Sequence, residues 1–368
     1  MIKQYKLRNY HFQLIAFIVI LNIIGILLIG SAKESVQSKQ ILGMAMGLVV
    51  MVAISLMDYS FILKFRWLYY IGTIGLLILV EVAGKTTGGS QRWIKIAGIQ
   101  FQPSELAKIV VILFFAGFFA KYQEKVNTIK TIFLSFVLVG IPLALILMQP
   151  DTSTTIATIF IFIVLLFISG LSYKIVLSVI GVCVPVGIAG LSYIISNADA
   201  LIAEHYQFKR IMAWIDPAKY SDAATQQRNS IMAIGSGQLW GKGLNNSVAT
   251  SLKNSNYILE PQTDFIFAVA GEELGFIGTM AIIVLLLLIV LECILIGTKA
   301  KDLSGKLICC GMASLIGFQA FINMCVATGL MPNTGIPLPF VSYGLTSLVT
   351  LYMGMGFVLN VGLQPKKY

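Results

Sequence analysis

Few residues in this chain can do chemistry, because only 11% of its 368 residues are charged, and the informative ones stand beside long apolar runs. An ionisable side chain at membrane depth is costly and is normally kept with a partner or for a function. Glu105 and Lys108 head one apolar run three residues apart, so on a helix they share a face and can pair. Such a pair either fixes the helix or shapes a polar cavity. Asp264 follows Pro261 and Thr263. The proline stops what precedes it and the threonine can cap. The aspartate then falls in the first turn of a new helix, where free N–H groups and the dipole favour negative charge. Glu272 and Glu273 come eight and nine residues later. At about 100° per residue, Glu272 is turned about 80° from Asp264 and Glu273 about 180°. Glu272 is therefore the expected cavity companion, and Glu273 is expected to pair with another helix. Glu292 reads as structural or snorkelling.

Other chemistries find no support. Cys183, Cys293, Cys309, Cys310 and Cys325 all fall in apolar runs without a C-x-x-C pair, and only His11 and His205 could complete a metal site. Plain packing is the expectation. The stretch from Gly235 to Gly243 is rich in glycine but fails as a phosphate loop. A Walker pattern needs Gly at Ser236 and Ser or Thr at Gly243, and G-x-G-x-x-G needs Gly at Trp240. A tight turn leading into a loop is expected instead.

The elements that must position these residues are membrane helices. A composition of 57% hydrophobic residues and a mean hydropathy of +0.87 exclude a cytosolic enzyme, a disordered scaffold and a disulfide-stapled secreted domain. The net charge of +10 does not point to nucleic acid, because the basic residues lie between apolar stretches. A span needs about 20 apolar residues. Ten stretches qualify, near 12–30, 41–57, 68–83, 106–120, 131–149, 154–170, 174–196, 274–296, 306–328 and 341–362. Fourteen lysines and arginines collect in the termini and short connections on one side, among them Lys64, Arg66, Lys121, Lys125, Lys299 and Lys301, against five in the short loops of the other. The richer side is cytoplasmic, with both termini inside. The reading is one all-α polytopic domain over 1–368, with about ten transmembrane helices and one large extracytoplasmic loop, 197–262.

The elaborate segments, about 84–105 and 197–262, therefore lie outside, and loops of that size are usually functional. Leu201, Ile202, Tyr206, Ile211, Trp214 and Ile215 stand among charges as in an interfacial helix. Gly43-x-x-x-Gly47 is expected to mark close helix packing. A continuous helix over 264–296 would run roughly 50 Å, well beyond the hydrocarbon layer. It must project outward or bend, with Gly271 and Gly275 as bend points.

Several strings resemble the SEDS family of RodA, FtsW and SpoVE proteins: Gln91-Arg92-Trp93-Ile94, Phe101-Gln102-Pro103-Ser104-Glu105-Leu106-Ala107-Lys108, Gln149-Pro150-Asp151, and Tyr206-Gln207 with Arg210. So do Thr263-Asp264-Phe265-Ile266-Phe267-Ala268-Val269 with Gly271-Glu272-Glu273-Leu274-Gly275, and Gly335-Ile336-Pro337-Leu338-Pro339-Phe340-Val341-Ser342-Tyr343-Gly344. The resemblance covers essentially the whole chain. It departs at Leu345, Gln262 and Thr152-Ser153.

The resemblance implies a plasma-membrane peptidoglycan glycosyltransferase that polymerises lipid II at the outer face, with a class B penicillin-binding protein as partner. The family's essential aspartate maps onto Asp264, and its Glu–Lys pair onto Glu105 and Lys108. The chemistry is compatible. A lipid diphosphate is already a good leaving group, so the enzyme needs one base near the acceptor 4-hydroxyl and cations on the diphosphate. Asp264 is the expected base. Arg92, Lys95 and Arg210 are the expected diphosphate cations, with Glu105, Lys108 and Glu272 lining the substrate site. Mg²⁺ or Mn²⁺ would suit the diphosphate. Expected partners are lipid II, the undecaprenyl-diphosphate-linked glycan, membrane lipids and the penicillin-binding protein, the last docking on spans eight and nine. Gly278, Gly311, Ala313, Ser314 and Gly317 supply small residues there. The short N-terminus and Gly335-Ile336-Pro337-Leu338-Pro339 lean towards elongation rather than division or sporulation. A lipid II flippase or other transporter remains the alternative, although transporters usually carry midplane groups on paired repeats.

Overall fold

The computed structural model describes residues 10–87, 90–96, 99–196, 206–245 and 260–366. The helices of ten residues or more are α1 (Phe12–Ala32), α2 (Glu34–Ser55), α3 (Arg66–Ala83), α4 (Pro103–Lys121), α5 (Ile129–Met148), α6 (Thr152–Ile168), α7 (Tyr173–Ser196), α8 (Tyr206–Ile215), α9 (Ser221–Ser236), α10 (Ile266–Thr298), α11 (Leu303–Ala327) and α12 (Leu345–Gly362). Between α3 and α4 lies an antiparallel sheet ordered β1 (Lys85–Thr87), β2 (Ser90–Ile96), β3 (Ile99–Phe101). Among the described residues, eight helices are long and apolar enough to cross a membrane, and α6 is a shorter apolar helix. Each of the ten expected stretches falls on one helix. Three boundaries move for physical reasons. α2 starts at Glu34 rather than near 41, because its polar residues continue the helix and Gln40 is buried against Ser342 O at 3.2 Å. α10 starts at Ile266, taking in Glu272 and Glu273. α12 starts at Leu345, because 339–344 is not helical.

The chain divides into two compact units. One contains the residues up to Gly170, Ile282–Gln319 and those from Pro339 onward. α4 is buried from Pro103 to Phe119 except at Leu106. Its proline opens the first turn, where a missing N–H costs nothing and the fixed φ suits the helix. Phe114 stacks on Tyr70 of α3 at 4.4 Å and meets Trp67 edge-on at 5.0 Å, while Phe115 meets Phe162 of α6 at 5.0 Å. The Gly43 and Gly47 face of α2 packs on α12 as expected. A Cβ on Gly47 would lie 2.2 Å from a ring carbon of Tyr352. Two amides hold the non-helical 339–344 segment, Asn22 donating to Phe340 O at 2.8 Å and Gln40 to Ser342 O. Irregular backbone at membrane depth needs such protein partners because lipid offers none. Glu292 is held by His11 at 2.8 Å.

The other unit contains Leu171–Ala281 and Ala320–Leu338. The long segment before α10 supplies two helices. In α8, Trp214 donates to Gly329 O at 2.9 Å. In α9, Gln227 donates to Val326 O at 2.8 Å and to Met331 O at 2.7 Å, and Ser230 to Ala327 O at 2.7 Å. The last carbonyls of a helix have no partner within it, and α9 satisfies those of α11. Leu201 and Ile202 of the expected interfacial helix lie outside the described residues, as do His205 and 246–259.

The bend expected within 264–296 falls at Gly275, which is non-helical at φ 66°, ψ −163°. The kink opens two rungs of the ladder, and the glycine-rich turn fills both. Phe276 and Ile277 donate to Gln238 O and Leu239 O, at 2.9 and 3.2 Å. The released Glu272 O and Glu273 O accept from the N–H groups of Lys242 and Gly243, at 2.9 and 3.0 Å. The exchange requires backbone to meet backbone. A Cβ on Gly237 would sit 1.8 Å from Gly271 O, and one on Gly241 2.2 Å from Glu273 O. Glycine is needed here for close approach, as it is wherever two backbones touch.

Candidate active site

Asp264 precedes the helix rather than opening it. It lies in the turn over 261–265, with Ile266 the first helical residue. The expectation of a first-turn acid is corrected by two positions, because Phe265 and Ile266 are buried and anchor the start. The Thr263 hydroxyl donates back to Glu260 O at 2.9 Å. Asp264 and Arg210 are both half-buried, and they converge on Gly335. A Cβ on Gly335 would lie 3.3 Å from Asp264 Oδ2 and 3.8 Å from Arg210 Nη1. Gly335 has φ +74°, so glycine serves there both the left-handed backbone and the close approach. Arg210 also donates to Asn333 O at 3.4 Å. A carboxylate and a guanidinium thus share one small space, able to accept a proton and to bind an anion side by side.

Glu272 is buried and its Oε1 lies 2.8 Å from Lys242 Nζ. That ion pair fastens the glycine-rich turn to α10 beside the exchanged backbone bonds.

In the other unit Glu105 and Lys108 pair at 2.6 Å, 5% and 2% exposed. Just before Glu105, Gln102 and Ser104 join a hub centred on Asp151 that sequence reasoning missed. Asp151 is buried and caps α6, accepting from Thr154 N at 3.2 Å and Thr154 Oγ1 at 2.9 Å. It also accepts from Gln102 at 3.0 Å and Ser104 at 3.2 Å, at the start of α4. Arg92 of β2 turns to the same place, donating to Gln149 O at 3.1 Å and to Pro150 O, with Nη1 3.8 Å from Asp151 Oδ1. Lys95 lies on β2 opposite Gln100, and its side chain falls outside the described residues.

The structure therefore brings Asp264 and Arg210 together, pairs Glu105 with Lys108, joins Glu272 to Lys242 and sets Arg92 on the 149–151 turn. A search restricted to ionisable residues also passes over Asn323, a buried amide in α11. The signal for it was present, since Gln319 and Asn323 stand four apart in an otherwise apolar run.

Over residues 5–367 the chain matches the family FTSW_RODA_SPOVE, described as cell cycle protein. The chain belongs to the FtsW/RodA/SpoVE family. The probable peptidoglycan glycosyltransferase FtsW of Geobacter sp. (strain M18) is 33% identical over 376 residues, covering 98% of this chain and 99% of that protein. A chain of a peptidoglycan synthase complex, solved for its structural coordination of polymerization and crosslinking, aligns with a TM-score of 0.78 at 26% identity, covering 96% of this chain and 97% of the other. Rod shape determining protein RodA of Thermus thermophilus aligns with a TM-score of 0.70 at 25% identity, covering 96% of each chain. As a FtsW/RodA/SpoVE member with apolar helices of spanning length, the chain is a multi-pass bacterial membrane protein.

Proposed function

We propose that this chain polymerises lipid II at the outer face of the plasma membrane, with Asp264 as general base and Arg210 as a cation for the diphosphate. The general role, peptidoglycan glycosyl transfer, comes with the family. The observation that carries the finer reading is the convergence of the Asp264 carboxylate and the Arg210 guanidinium on Gly335. In the transfer the acceptor 4-hydroxyl oxygen attacks the donor anomeric carbon with inversion, forming the new glycosidic bond. The bond from that carbon to the diphosphate oxygen breaks, and its electron pair leaves with the undecaprenyl diphosphate. The hydroxyl proton passes to Asp264. Arg210 is proposed to meet the charge gained by the departing diphosphate, and fixed donors aimed at developing charge are worth most away from water.

Arg92, Lys95, Glu105, Lys108 and Glu272 are proposed as substrate-binding residues; Glu272 also ties the glycine-rich turn to α10, and Arg92 is bonded to the 149–151 turn. Among the described residues no group of three or more His, Cys, Asp or Glu side chains could hold a metal ion. The described donor set offers no all-protein cage for Mg²⁺ or Mn²⁺. Such an ion would take its ligands chiefly from diphosphate oxygens, and no step here runs through it.

A class B penicillin-binding protein is the proposed partner, its membrane helix lying on α10 and α11. An apolar groove of about 350 Å³ supports this, lined by Phe160, Val164, Val290, Ile294, Ala313 and Gly317 among others. Gly311 is not part of that face, since its Cβ would meet Ile112 at 2.7 Å inside the protein. Elongation is the proposed process, on the Gly335–Pro339 string. Rounded cells on depletion would support it, and filaments would assign the chain to division.

The decisive experiment is Asp264→Asn in the purified complex, fed labelled lipid II. The amide keeps the shape and loses the proton acceptor. General-base catalysis is worth about 10²–10⁴-fold, so a folded variant keeping more than about a tenth of the activity would exclude the base role.

A further inference from the structure

Asn323 is 1% exposed in α11, where an amide must find its partners within the protein. Its Nδ2 donates at 2.8 Å to Asp264 O and at 2.8 Å to Ile336 O. Both acceptors are backbone carbonyls, so only the NH₂ end of the amide can face them. One carbonyl belongs to the residue read as the base. The other belongs to the 333–336 segment, whose Asn333 O accepts from Arg210 and whose Gly335 leaves open a Cβ position 3.3 Å from the Asp264 carboxylate and 3.8 Å from the Arg210 guanidinium. One side chain thus bridges the two pieces of backbone that carry the site.

We propose that Asn323 is a positioning residue for glycosyl transfer, tying the backbone of Asp264 to the segment gripped by Arg210 and so holding carboxylate and guanidinium in register. This rests on the reading of Asp264 as the base. Misplacing a reacting group by about 1 Å can cost about 10²-fold in rate, whereas substrate held by other contacts still binds. Loosening the tie should therefore act on turnover rather than on affinity.

The test uses the full chain with its partner in detergent, with initial rates measured over a range of lipid II concentrations. Asn323→Asp is nearly isosteric but presents oxygens to two carbonyl oxygens, and Asn323→Ala removes the donors without adding charge. Each is expected to lower kcat about 10–100-fold, with KM within about twofold and a fall in unfolding temperature that leaves the variant folded at the assay temperature. A folded variant with kcat within about twofold of the parent overturns the proposal. So does a joint shift of kcat, KM and unfolding temperature, or failure of both variants to fold, since Asn323 would then serve stability alone. If Asn323→Asp alone fails to accumulate, Asn323→Ala decides. Asp264→Asn is measured alongside. Substantial activity there sinks the base reading, whereas a dead Asp264→Asn with an unimpaired Asn323→Asp sinks only the positioning role.

Discussion

Three glycines of one turn allow the exchange with α10 to be tested in separable parts. Gly243 has φ +89° and open space around it, so Gly243→Ala meets only the left-handed backbone, a cost of about 1–2 kcal/mol. Gly237 has φ −77°, which alanine adopts freely, but its Cβ would sit 1.8 Å from Gly271 O. That carbonyl cannot yield as a flexible side chain would, so the turn must withdraw. Withdrawal forfeits the four hydrogen bonds of the exchange. The straightened helix can recover at most two. With each bond worth about 0.5–1.5 kcal/mol, the net loss is about 1–6 kcal/mol. Gly241 combines φ +77° with a Cβ 2.2 Å from Glu273 O, so Gly241→Ala should be the most damaging. Alanine also restricts the unfolded chain, which returns about 0.4–1 kcal/mol in every case. The assay is thermal unfolding of the detergent-purified variants, followed by loss of monodisperse protein. The expected order of stability is parent, Gly243→Ala, Gly237→Ala, Gly241→Ala. Gly237→Ala unfolding with the parent, or Gly243→Ala as harmful as Gly241→Ala, would refute the exchange as a determinant of stability.

Two further outcomes follow from the geometry. Lys108→Met strands a buried carboxylate and should cost about 3–5 kcal/mol, whereas Glu105→Leu with Lys108→Met removes both charges and should cost less; a double variant as unstable as the single one in the same melting assay would show that charge isolation is not the cause. Gly317→Leu, where a Cβ makes only ordinary contact with Val290, should weaken co-purification of the penicillin-binding protein and lower polymerisation together, and a normal complex with normal strand synthesis would remove this groove as its docking face.

The helices were legible because a span declares itself by apolar length, and the bend at Gly275 because 33 residues exceed a bilayer. Glu105 with Lys108 was legible from spacing alone. What escaped was what hydropathy does not weigh. The first turns of α2 are polar, and α9 is polar along most of its length. Asp151 escaped as a hub, because its partners Gln102 and Ser104 lie 49 and 47 residues away. The glycine-rich turn was recognised as a turn, but its exchange is made by backbone groups that carry no residue identity. Asn323 was hidden because a neutral amide costs less in a membrane than a charge and draws less notice.

The packing of α2 against α12 also sets an order of events during synthesis. Asn22 and Gln40 find their carbonyl partners 318 and 302 residues later in the chain. At about 5–20 residues per second that interval lasts about 15–60 s. Until Pro339–Gly344 and α12 arrive, two amides and the Gly43–Gly47 face wait in contact with lipid or with whatever membrane chaperone shields them. A chain truncated before Pro339 keeps most of its spans but never closes this seam. Synthesis of α12 is thereby the step at which this seam can close.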